Sequence, residues 1–338
     1  IINTRSVGED PELVARLTGA FIRGCQSNGM IATAKHFPGH GDTDQDSHSL
    51  LPVIKADLDR LQKVELYPFQ KAIEQGVEAI MTAHLYVPAL EPEPGLPATL
   101  SPRILTDLLR NKMGFKGLVV TDALEMAGIA RYYSQEEAAL RALKAGVDLL
   151  LLPLDPVKVI NYLKEAVEQG ELPVERVDES VRRLLAVKAR LGLSHQSLVS
   201  LDQLPVILGQ PEFKKIPWET FQSALTLVRN DNNLLPVPPE KKIVILSLSS
   251  DPGDFYAGRR LATALTRRYP AARTFYADGD TGREKLEEAL AASLQAEVVI
   301  AALFSSLQAG KGSVDLEPAQ VKKKKKIKEA GRPVVALS

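Results

Sequence analysis

The sequence predicts an α/β protein whose first region has the strand–helix rhythm of a barrel. Strand-like and helix-like segments alternate over residues 11–192, which is the pattern of repeated βα units. The strand-like segments are short and apolar, as expected for parallel strands buried on both faces. After an irregular stretch the same rhythm resumes, so we expect a second, smaller α/β domain.

In the first region, a helical spacing through Leu13, Leu17 and Phe21 predicts the opening helix. Strands are then predicted at residues 30–35, 79–83, 118–121 and 147–152. Helices are predicted at residues 61–75, 101–112, 135–145, 157–168 and 177–191. These strands make half of a (β/α)8 TIM-type barrel, and such a half would leave an open apolar edge. We therefore expect the N-terminal strands of the barrel to lie outside this chain.

Residues 195–217 break the periodicity with several prolines and a glycine, which predicts a linker. We assign residues 1–194 to the C-terminal part of the barrel. Residues 218–338 become an α/β sandwich domain that is truncated at its C-terminus. Its helices are predicted at 218–229, 258–269 and 283–294, and its strands at 242–247, 273–276, 298–304 and 333–337. One more helix, between the last two strands, contains a lysine run at 322–326, which favours a solvated face over an anion-binding patch.

Composition narrows the possible partners. Basic and acidic residues balance at 42 each, which gives no electrostatic reason to expect nucleic acid or an anionic membrane as a partner. The same balance makes a neutral small molecule the expected ligand. No apolar run approaches the length of a transmembrane segment. Cys25 has no second cysteine to pair with, so the fold needs no oxidising compartment. The chain opens at Ile1 without an initiator methionine, which leaves room for an upstream signal peptide.

The densest group of polar residues follows directly after the first predicted strand. It occupies residues 35–48 and reads KHFPGHGDTDQDSH. In a βα barrel, the loops at the carboxyl ends of the strands form the active face. Glycine and proline let this backbone turn tightly, while lysine, histidine and aspartate supply donors, acceptors and titratable groups. The pattern predicts a binding or catalytic loop.

A metal site is the first alternative for this loop, because Asp42, Asp44 and Asp46 copy the opening of a calcium loop. The sixth and twelfth positions of such a loop should be glycine and glutamate, but they hold Ser47 and Val53 here. A zinc site is also disfavoured, because the histidines lack i, i+4 helical spacing. We therefore favour an organic acid/base site and expect no metal and no cofactor.

A second cluster begins where the apolar strand at 118–121 ends on Asp122. An aspartate at such a junction caps the following turn about as often as it catalyses. The polar loop at the end of another strand of the same sheet favours the catalytic interpretation.

Three motifs carry a resemblance to a known family: KHFPGHGDT at 35–43, DSH at 46–48 and TDALEM at 121–126. In this order and spacing they resemble glycoside hydrolase family 3, specifically its β-N-acetylglucosaminidase branch. The likeness extends to RSVGEDP at 5–11, TAH at 82–84 and LTLVRN at 225–230, so it covers most of the chain. The glycine loop with Asp-Ser-His is its specific part, whereas a lone Thr-Asp would not be.

The resemblance implies a role for six residues. Asp122 becomes the nucleophile of a retaining glycosidase that forms a covalent glycosyl-aspartate, and His48 becomes the acid/base, oriented by Asp46. The residues implied to hold hydroxyl or acyl groups of the sugar are Lys35, His36 and Arg5. The family's acidic sugar-binding residue on an early strand has no counterpart in this sequence.

This chemistry suits a histidine. An imidazole titrates near neutrality, so His48 can protonate the departing oxygen and later deprotonate water. Asp46, two residues earlier, is placed to accept from the ring and orient it, as in a Ser-His-Asp triad. The implied substrates are N-acetylglucosaminyl glycosides, including muropeptide fragments of peptidoglycan. Two-domain members of the family often act outside the cytoplasm, which favours an extracellular, periplasmic or cell-wall location.

Three alternatives stay open. A phosphorylase would keep the fold and the nucleophile, because a histidine does not repel phosphate as a carboxylate would. A family 3 β-glucosidase is expected to take its acid from a glutamate in the second domain instead of this loop. A non-catalytic sugar-binding protein is disfavoured, because Asp122 and the Asp46–His48 unit are all present.

His84, at the end of a predicted strand, either lines the pocket or makes a structural hydrogen bond.

Overall fold

A computed structural model describes residues 6–43, 51–195, 198–208, 210–251, 253, 257–304, 325–327 and 329–337. Three of the predicted site residues, Arg5, Asp46 and His48, therefore lie outside the described residues. The chain divides into two compact units, Ile1–Ser200 and Leu201–Ser338. The assignment of these regions to a barrel half, a linker and a truncated second domain stays a prediction.

The first unit contains a parallel sheet. Its strands are β1 (Thr33–Phe37), β2 (Ala79–Thr82) and β3 (Leu118–Val120), in the order β1-β2-β3. Both pairings are parallel, which confirms the predicted α/β class with parallel strands. Within the described ranges the sheet is open and does not close into a barrel, so the complete barrel stays a prediction.

The predicted strand at 147–152 is wrong. This segment makes one parallel bridge, between Val120 and Leu149, and is otherwise irregular. Two side chains take the place of ladder hydrogen bonds. The Asp148 carboxylate accepts from the Val119 N–H at 3.0 Å, and the Thr121 hydroxyl oxygen accepts from the Leu151 N–H at 2.9 Å. Side-chain hydrogen bonds that compete with the backbone ladder in this way interrupt regular strand geometry.

Helices surround this sheet in the predicted order. They are α1 (Pro11–Ser27), α2 (Leu58–Lys63), α3 (Leu66–Glu74), α4 (Arg103–Lys112), α5 (Ala127–Ala130), α6 (Gln135–Ala145), α7 (Pro156–Glu168) and α8 (Val174–Arg190). The single helix predicted at 61–75 is two helices with a break between them. The α4 segment has π-helical hydrogen bonding. The N-terminus of α1 is capped by Asp10, whose carboxylate accepts from the Leu13 N–H at 2.8 Å.

The core of the first unit lies between the sheet and these helices. Phe37 at the end of β1 packs edge-to-face on Phe69 of α3, with ring centroids 5.2 Å apart, and Phe37 is fully buried. Ile80 of β2 and Val119 of β3 are also fully buried. Because these strands are packed from the helix side, their carboxyl ends are held at fixed positions.

A buried ion cluster fixes the segment after β3. The Asp148 side chain is fully buried. Its oxygens accept from groups on two helices and one strand: Arg110 at 2.5 Å, Arg183 at 2.8 Å, Ser180 at 2.8 Å and the Val119 N–H at 3.0 Å, with Arg176 at 3.5 Å. Burial raises the pKa of Asp148, but the Arg110 and Arg183 charges and the hydrogen bonds outweigh it and hold that pKa below its ordinary value. The carboxylate therefore stays ionised and ties β3 to α4 and α8.

The second unit is a four-stranded parallel sheet. Its strands are β4 (Ile243–Ser249), β5 (Arg273–Ala277), β6 (Val298–Phe304) and β7 (Val334–Leu337), in the order β5-β4-β6-β7. Alternate residues of β4 face two different cores. One core contains Leu290 of helix α12 (Arg283–Gln295), and the other contains Ala262 of helix α11 (Arg259–Arg268). With a helix on each face, the unit is a three-layer α/β sandwich as predicted.

The region predicted as an irregular linker is largely helical. It contains a 3-10 turn (Leu201–Gln203), helix α9 (Leu204–Leu208) and the start of helix α10 (Pro211–Ala224). Pro211 stands at the first turn of α10, where proline favours a helix instead of breaking it. The helix predicted at 218–229 therefore begins earlier, and it ends at Ala224.

Two further predictions can be compared with the structure. The described part of the lysine run, Lys325 and Lys326, is exposed and helical, in agreement with a solvated face. Across the described ranges, no helix combines the length and the apolar character needed to cross a bilayer.

Candidate active site

The carboxyl ends of β1 and β3 bring together residues from the two polar motifs. His36 lies in β1, and Asp122 lies two residues beyond β3. The His36 Nε2 is 3.7 Å from the Asp122 Oδ2. Their side chains are 10% and 17% exposed, so both are mostly buried but still reach solvent. This convergence is what parallel strands of one sheet predict, whereas the chemical roles of the two residues stay predictions.

Asp122 is held by the residues on either side of it. Its Oδ1 accepts from the Ala123 N–H at 2.9 Å. Thr121 donates its N–H to the Leu149 carbonyl at 3.0 Å, and its side chain is bonded to Leu151. The next helix, α5, begins at Ala127 with Met126 as its N-cap, so Asp122 does not cap that helix. Whether Asp122 acts in catalysis or only caps the turn that follows it therefore stays a prediction.

A β-bulge in β1 sets the direction of the first motif. Lys35 pairs with Met81 and Phe37 pairs with Thr82, so the register of β1 on β2 shifts by one residue at His36. A bulge of this kind bends the strand and re-aims side chains, which is why bulges often lie beside active sites. Here it leaves Lys35 exposed, turns His36 towards Asp122 and buries Phe37 in the core.

The start of the polar loop contacts α2 and Glu65, the N-cap residue of α3. Arg60 bridges Asp42 of the loop at 2.9 Å and Glu65 at 3.3 Å. Gly39 has a φ of +140°, and a Cβ built on it would lie 2.7 Å from the Cβ of Glu65. Glycine is therefore required at position 39 for both its conformation and its close approach.

His84 lies two residues beyond β2, the central strand, and is fully buried. Its Nε2 is 3.0 Å from the Ala123 carbonyl oxygen, and its Nδ1 is 2.9 Å from the Thr99 hydroxyl oxygen. Burial lowers the pKa of His84, with the Asp122 charge acting in the opposite direction, and keeps the ring neutral near pH 7. Of the two interpretations that the sequence left open, the structural hydrogen bond is confirmed.

Several residues around the site were not found from the sequence. In the sequence, Arg60 of α2 and Glu65, which precedes α3, look like ordinary surface charges. Thr99 lies in a 3-10 turn (Ala98–Leu100). Their contacts join segments that are distant along the chain, so no local pattern announces them. Within the described residues, no group of three or more histidine, cysteine, aspartate or glutamate side chains is arranged to hold a metal ion.

The family follows from comparison with known proteins. The sequence profile of the Glycosyl hydrolase family 3 N terminal domain matches residues 1–187, more than half of the chain. The chain belongs to glycoside hydrolase family 3. The resemblance drawn from the loop and strand motifs is thereby confirmed.

Individual known proteins are similar to the chain over most of its length. β-Hexosaminidase A of Pseudoalteromonas piscicida is 35% identical over 265 residues, which are 73% of this chain and 44% of that protein. A family 3 β-N-acetylglucosaminidase structure from Paenibacillus sp. FPU-7 has a TM-score of 0.83 and 32% identity, and covers 99% of this chain and 64% of its own. A β-glucoside phosphorylase structure has a TM-score of 0.83 and 26% identity, with 99% and 62% covered. The chain thus spans less than half the length of the curated relative.

Proposed function

We propose that this family 3 protein is a retaining β-N-acetylglucosaminidase with Asp122 as its nucleophile. The observation that carries the proposal is the position of the Asp122 carboxylate. It lies at the carboxyl edge of a parallel sheet, partly buried, and 3.7 Å from a histidine of the loop-bearing strand. A carboxylate that attacks an anomeric carbon needs this kind of rigid support, which Thr121 and Ala123 supply.

In the first step, an Asp122 oxygen attacks the anomeric carbon, and the bond to the departing oxygen breaks. The departing oxygen takes its proton from His48, whose ring is oriented by Asp46. A covalent glycosyl-aspartate results. In the second step water attacks the same carbon, gives its proton to His48, and releases Asp122 and the sugar. Two inversions at one carbon give net retention of the β configuration.

We assign substrate binding to three hydrogen-bond donors. Lys35 and His36 lie in β1, and His36 approaches Asp122. Arg5 is included in the proposal by the family resemblance alone. A lysine and an arginine can donate to sugar hydroxyl and acyl oxygens at any physiological pH. His36 contributes one or two ring donors according to its protonation. Donors of this kind recognise a neutral sugar by hydrogen bonding, in agreement with the balanced charge of the chain.

The proposed substrates are β-linked N-acetylglucosaminides, including non-reducing-end residues of peptidoglycan fragments. Support comes from the names of two relatives, a β-hexosaminidase and a β-N-acetylglucosaminidase, and from the Asp-Ser-His motif. Action on cell-wall fragments outside the cytoplasm is part of the same proposal. The closed (β/α)8 barrel that would complete the sugar site is proposed as well.

A phosphorylase is the second candidate, because a β-glucoside phosphorylase shares the fold at a TM-score of 0.83. In that reaction phosphate replaces water in the second step, and the product is a glycosyl phosphate. The two candidates differ in one measurement. Product formation that is independent of inorganic phosphate supports the hydrolase, whereas a rate that rises with phosphate and gives glycosyl phosphate supports the phosphorylase.

The experiment that tests the function uses the product of the complete natural gene. We expect it to release 4-nitrophenol from the β-N-acetylglucosaminide faster than from the β-glucoside. Asp122→Asn should lose almost all of this activity while keeping the wild-type melting temperature, because the amide preserves shape but cannot attack carbon. Activity that survives in Asp122→Asn would contradict the proposed role.

A further inference from the structure

We propose that His84 is a positioning residue for the nucleophile. In this inference its Nε2–H holds the Ala123 carbonyl, and Thr99 fixes the ring in the neutral tautomer that can do so. The inference rests on the proposed function, because it requires Asp122 to be the attacking group. It adds a residue that never touches the sugar to the machinery of the reaction.

The place of His84 in the sheet gives the first argument. β2 is the central strand of three, between the strand of Lys35 and His36 and the strand that leads to Asp122. His84 follows β2 and is fully buried. A ring without solvent exposure, with both nitrogens engaged by protein groups, is unsuited to exchange protons with substrate or water. Its contribution must therefore pass through the protein.

The second argument is the hydrogen-bond direction at Nε2. A carbonyl oxygen can only accept, so the contact with Ala123 at 3.0 Å requires a proton on Nε2. The Ala123 N–H is in turn the donor to the Asp122 Oδ1 at 2.9 Å. Ala123 is therefore held at its carbonyl by His84 and holds the nucleophile at its amide. A shift of Ala123 moves the hydrogen-bond donor of the nucleophile with it.

The third argument is a count of protons around Nδ1. The Thr99 hydroxyl has one proton and lies 2.9 Å from His84 Nδ1, 3.0 Å from the Ala83 carbonyl and 2.8 Å from the Thr82 hydroxyl. If Thr99 donates to Nδ1, the ring is neutral with its proton on Nε2. If Thr99 donates to Ala83 instead, Nδ1 either carries a proton of its own, which charges the ring, or is left as a buried acceptor without a donor. Burial disfavours both outcomes, so we assign the Thr99 proton to Nδ1.

A neutral ring is also what the reaction requires at this place. An imidazolium buried beside Asp122 would stabilise the negative carboxylate and weaken its attack on carbon. A neutral donor fixes geometry without adding a charge. On its other side, Asp122 is anchored through Thr121 to the segment 149–151. The nucleophile is thus fixed between the central strand and the segment that follows β3.

The test compares three variants of the complete natural protein with wild type on 4-nitrophenyl β-N-acetylglucosaminide. His84→Leu removes the donor, whereas His84→Gln keeps an N–H at the ε position. Ser180→Ala, a buried change at the Asp148 cluster, serves as the matched control for lost stability. We expect His84→Leu to lower kcat/KM on the order of 100-fold, the effect of a misplacement of about 1 Å. His84→Gln should recover most of that loss.

The inhibition constant of N-acetylglucosamine separates positioning from general damage. It should stay within about threefold of wild type in His84→Leu, because ground-state sugar binding does not depend on the nucleophile's alignment. Ser180→Ala should lower the melting temperature without changing kcat/KM. The inference is overturned if His84→Leu keeps the wild-type kcat/KM, if His84→Gln is as impaired as His84→Leu, or if kcat/KM and the inhibition constant worsen in parallel.

A second measurement needs no variant and no activity. In ¹⁵N-histidine-labelled wild-type protein, the His84 resonances should report a neutral ring with the proton on Nε2 at pH 7. A charged ring or the Nδ1–H tautomer overturns the inference.

An inactive wild-type protein would overturn the proposed function and the positioning role with it. An active wild type with an insensitive His84→Leu variant overturns the positioning role alone.

Discussion

Replacement of Asp148 by asparagine should be among the most damaging single changes in the first unit. The carboxylate is fully buried and forms ion pairs with three guanidinium groups: Arg110 at 2.5 Å, Arg183 at 2.8 Å and Arg176 at 3.5 Å. Asp148→Asn removes the negative charge but leaves those cations in place. Loss of one partner from a buried ion pair costs about 3–5 kcal/mol of unfolding free energy. For a unit of this size, that corresponds to a fall in melting temperature of roughly 6–20 °C.

Arg110 shows why the cost is one of desolvation. Burial lowers the pKa of Arg110, and the Asp148 charge offsets only part of that shift. The pKa of Arg110 therefore indicates a weaker coupling between the two groups than the lowered pKa of Asp148 does. A guanidinium nevertheless stays protonated at neutral pH. The pair is therefore ionic, and Asp148 is the partner that titrates in an accessible pH range.

The assay is thermal unfolding at pH 7, with Asp59→Asn as the matched control. Asp59 pairs with Lys63 at 2.8 Å on the exposed face of α2, and such pairs contribute about 0–1 kcal/mol. The lowered pKa of Asp148 also predicts how this stabilisation depends on pH. It is complete above the pKa that Asp148 has in the unfolded chain, and it is lost as pH falls from there through the lower pKa of the folded state. A melting temperature of Asp148→Asn within 1 °C of Asp59→Asn would refute the reasoning.

Two further predictions concern the polar loop. Gly39→Ala should lower both the melting temperature and kcat/KM, because the φ of Gly39 is +140° and a Cβ there would lie 2.7 Å from Glu65. Gly41→Ala is the matched control and should change neither quantity, because a Cβ on Gly41 meets no atom within 4 Å. Equal behaviour of the two variants would contradict the packing argument. His48→Ala should slow alkyl N-acetylglucosaminides far more than activated aryl ones, since only poor leaving groups need protonation. A steady-state comparison of the two substrate classes measures this, and an equal loss on both would remove His48 as the acid/base.

Much of the fold was accessible from the sequence, because its signals are local. The helix at residues 135–145 was predicted with its observed bounds, between Ser134 as N-cap and Gly146 as C-cap. The strand at 298–304 was also predicted with its observed bounds, from an apolar run. The strand at 147–152 failed because Asp148 and Thr121 use side-chain oxygens where a ladder would use carbonyls. Nothing in an apolar run reveals that competition.

The site shows the same division between local and long-range information. Asp122 and His36 could be expected to approach each other, since both stand at carboxyl ends of strands in one parallel sheet. The contacts that fix them could not be expected. Arg60 reaches back to Asp42 across 18 positions, and His84 reaches forward to Ala123 across 39 positions. Such contacts depend on how helices and loops pack, which no short motif encodes.

The central claim is that Asp122 forms a covalent bond to the sugar. The most direct measurement incubates the complete natural protein with 5-fluoro N-acetylglucosaminyl fluoride and maps the labelled peptide by mass spectrometry. The fluorine at C5 slows both steps, while fluoride leaves without protonation, so the glycosyl-enzyme accumulates. The account predicts one added sugar, on Asp122 in the peptide that follows β3. A label on any other residue, or an active enzyme that carries no label, would contradict it.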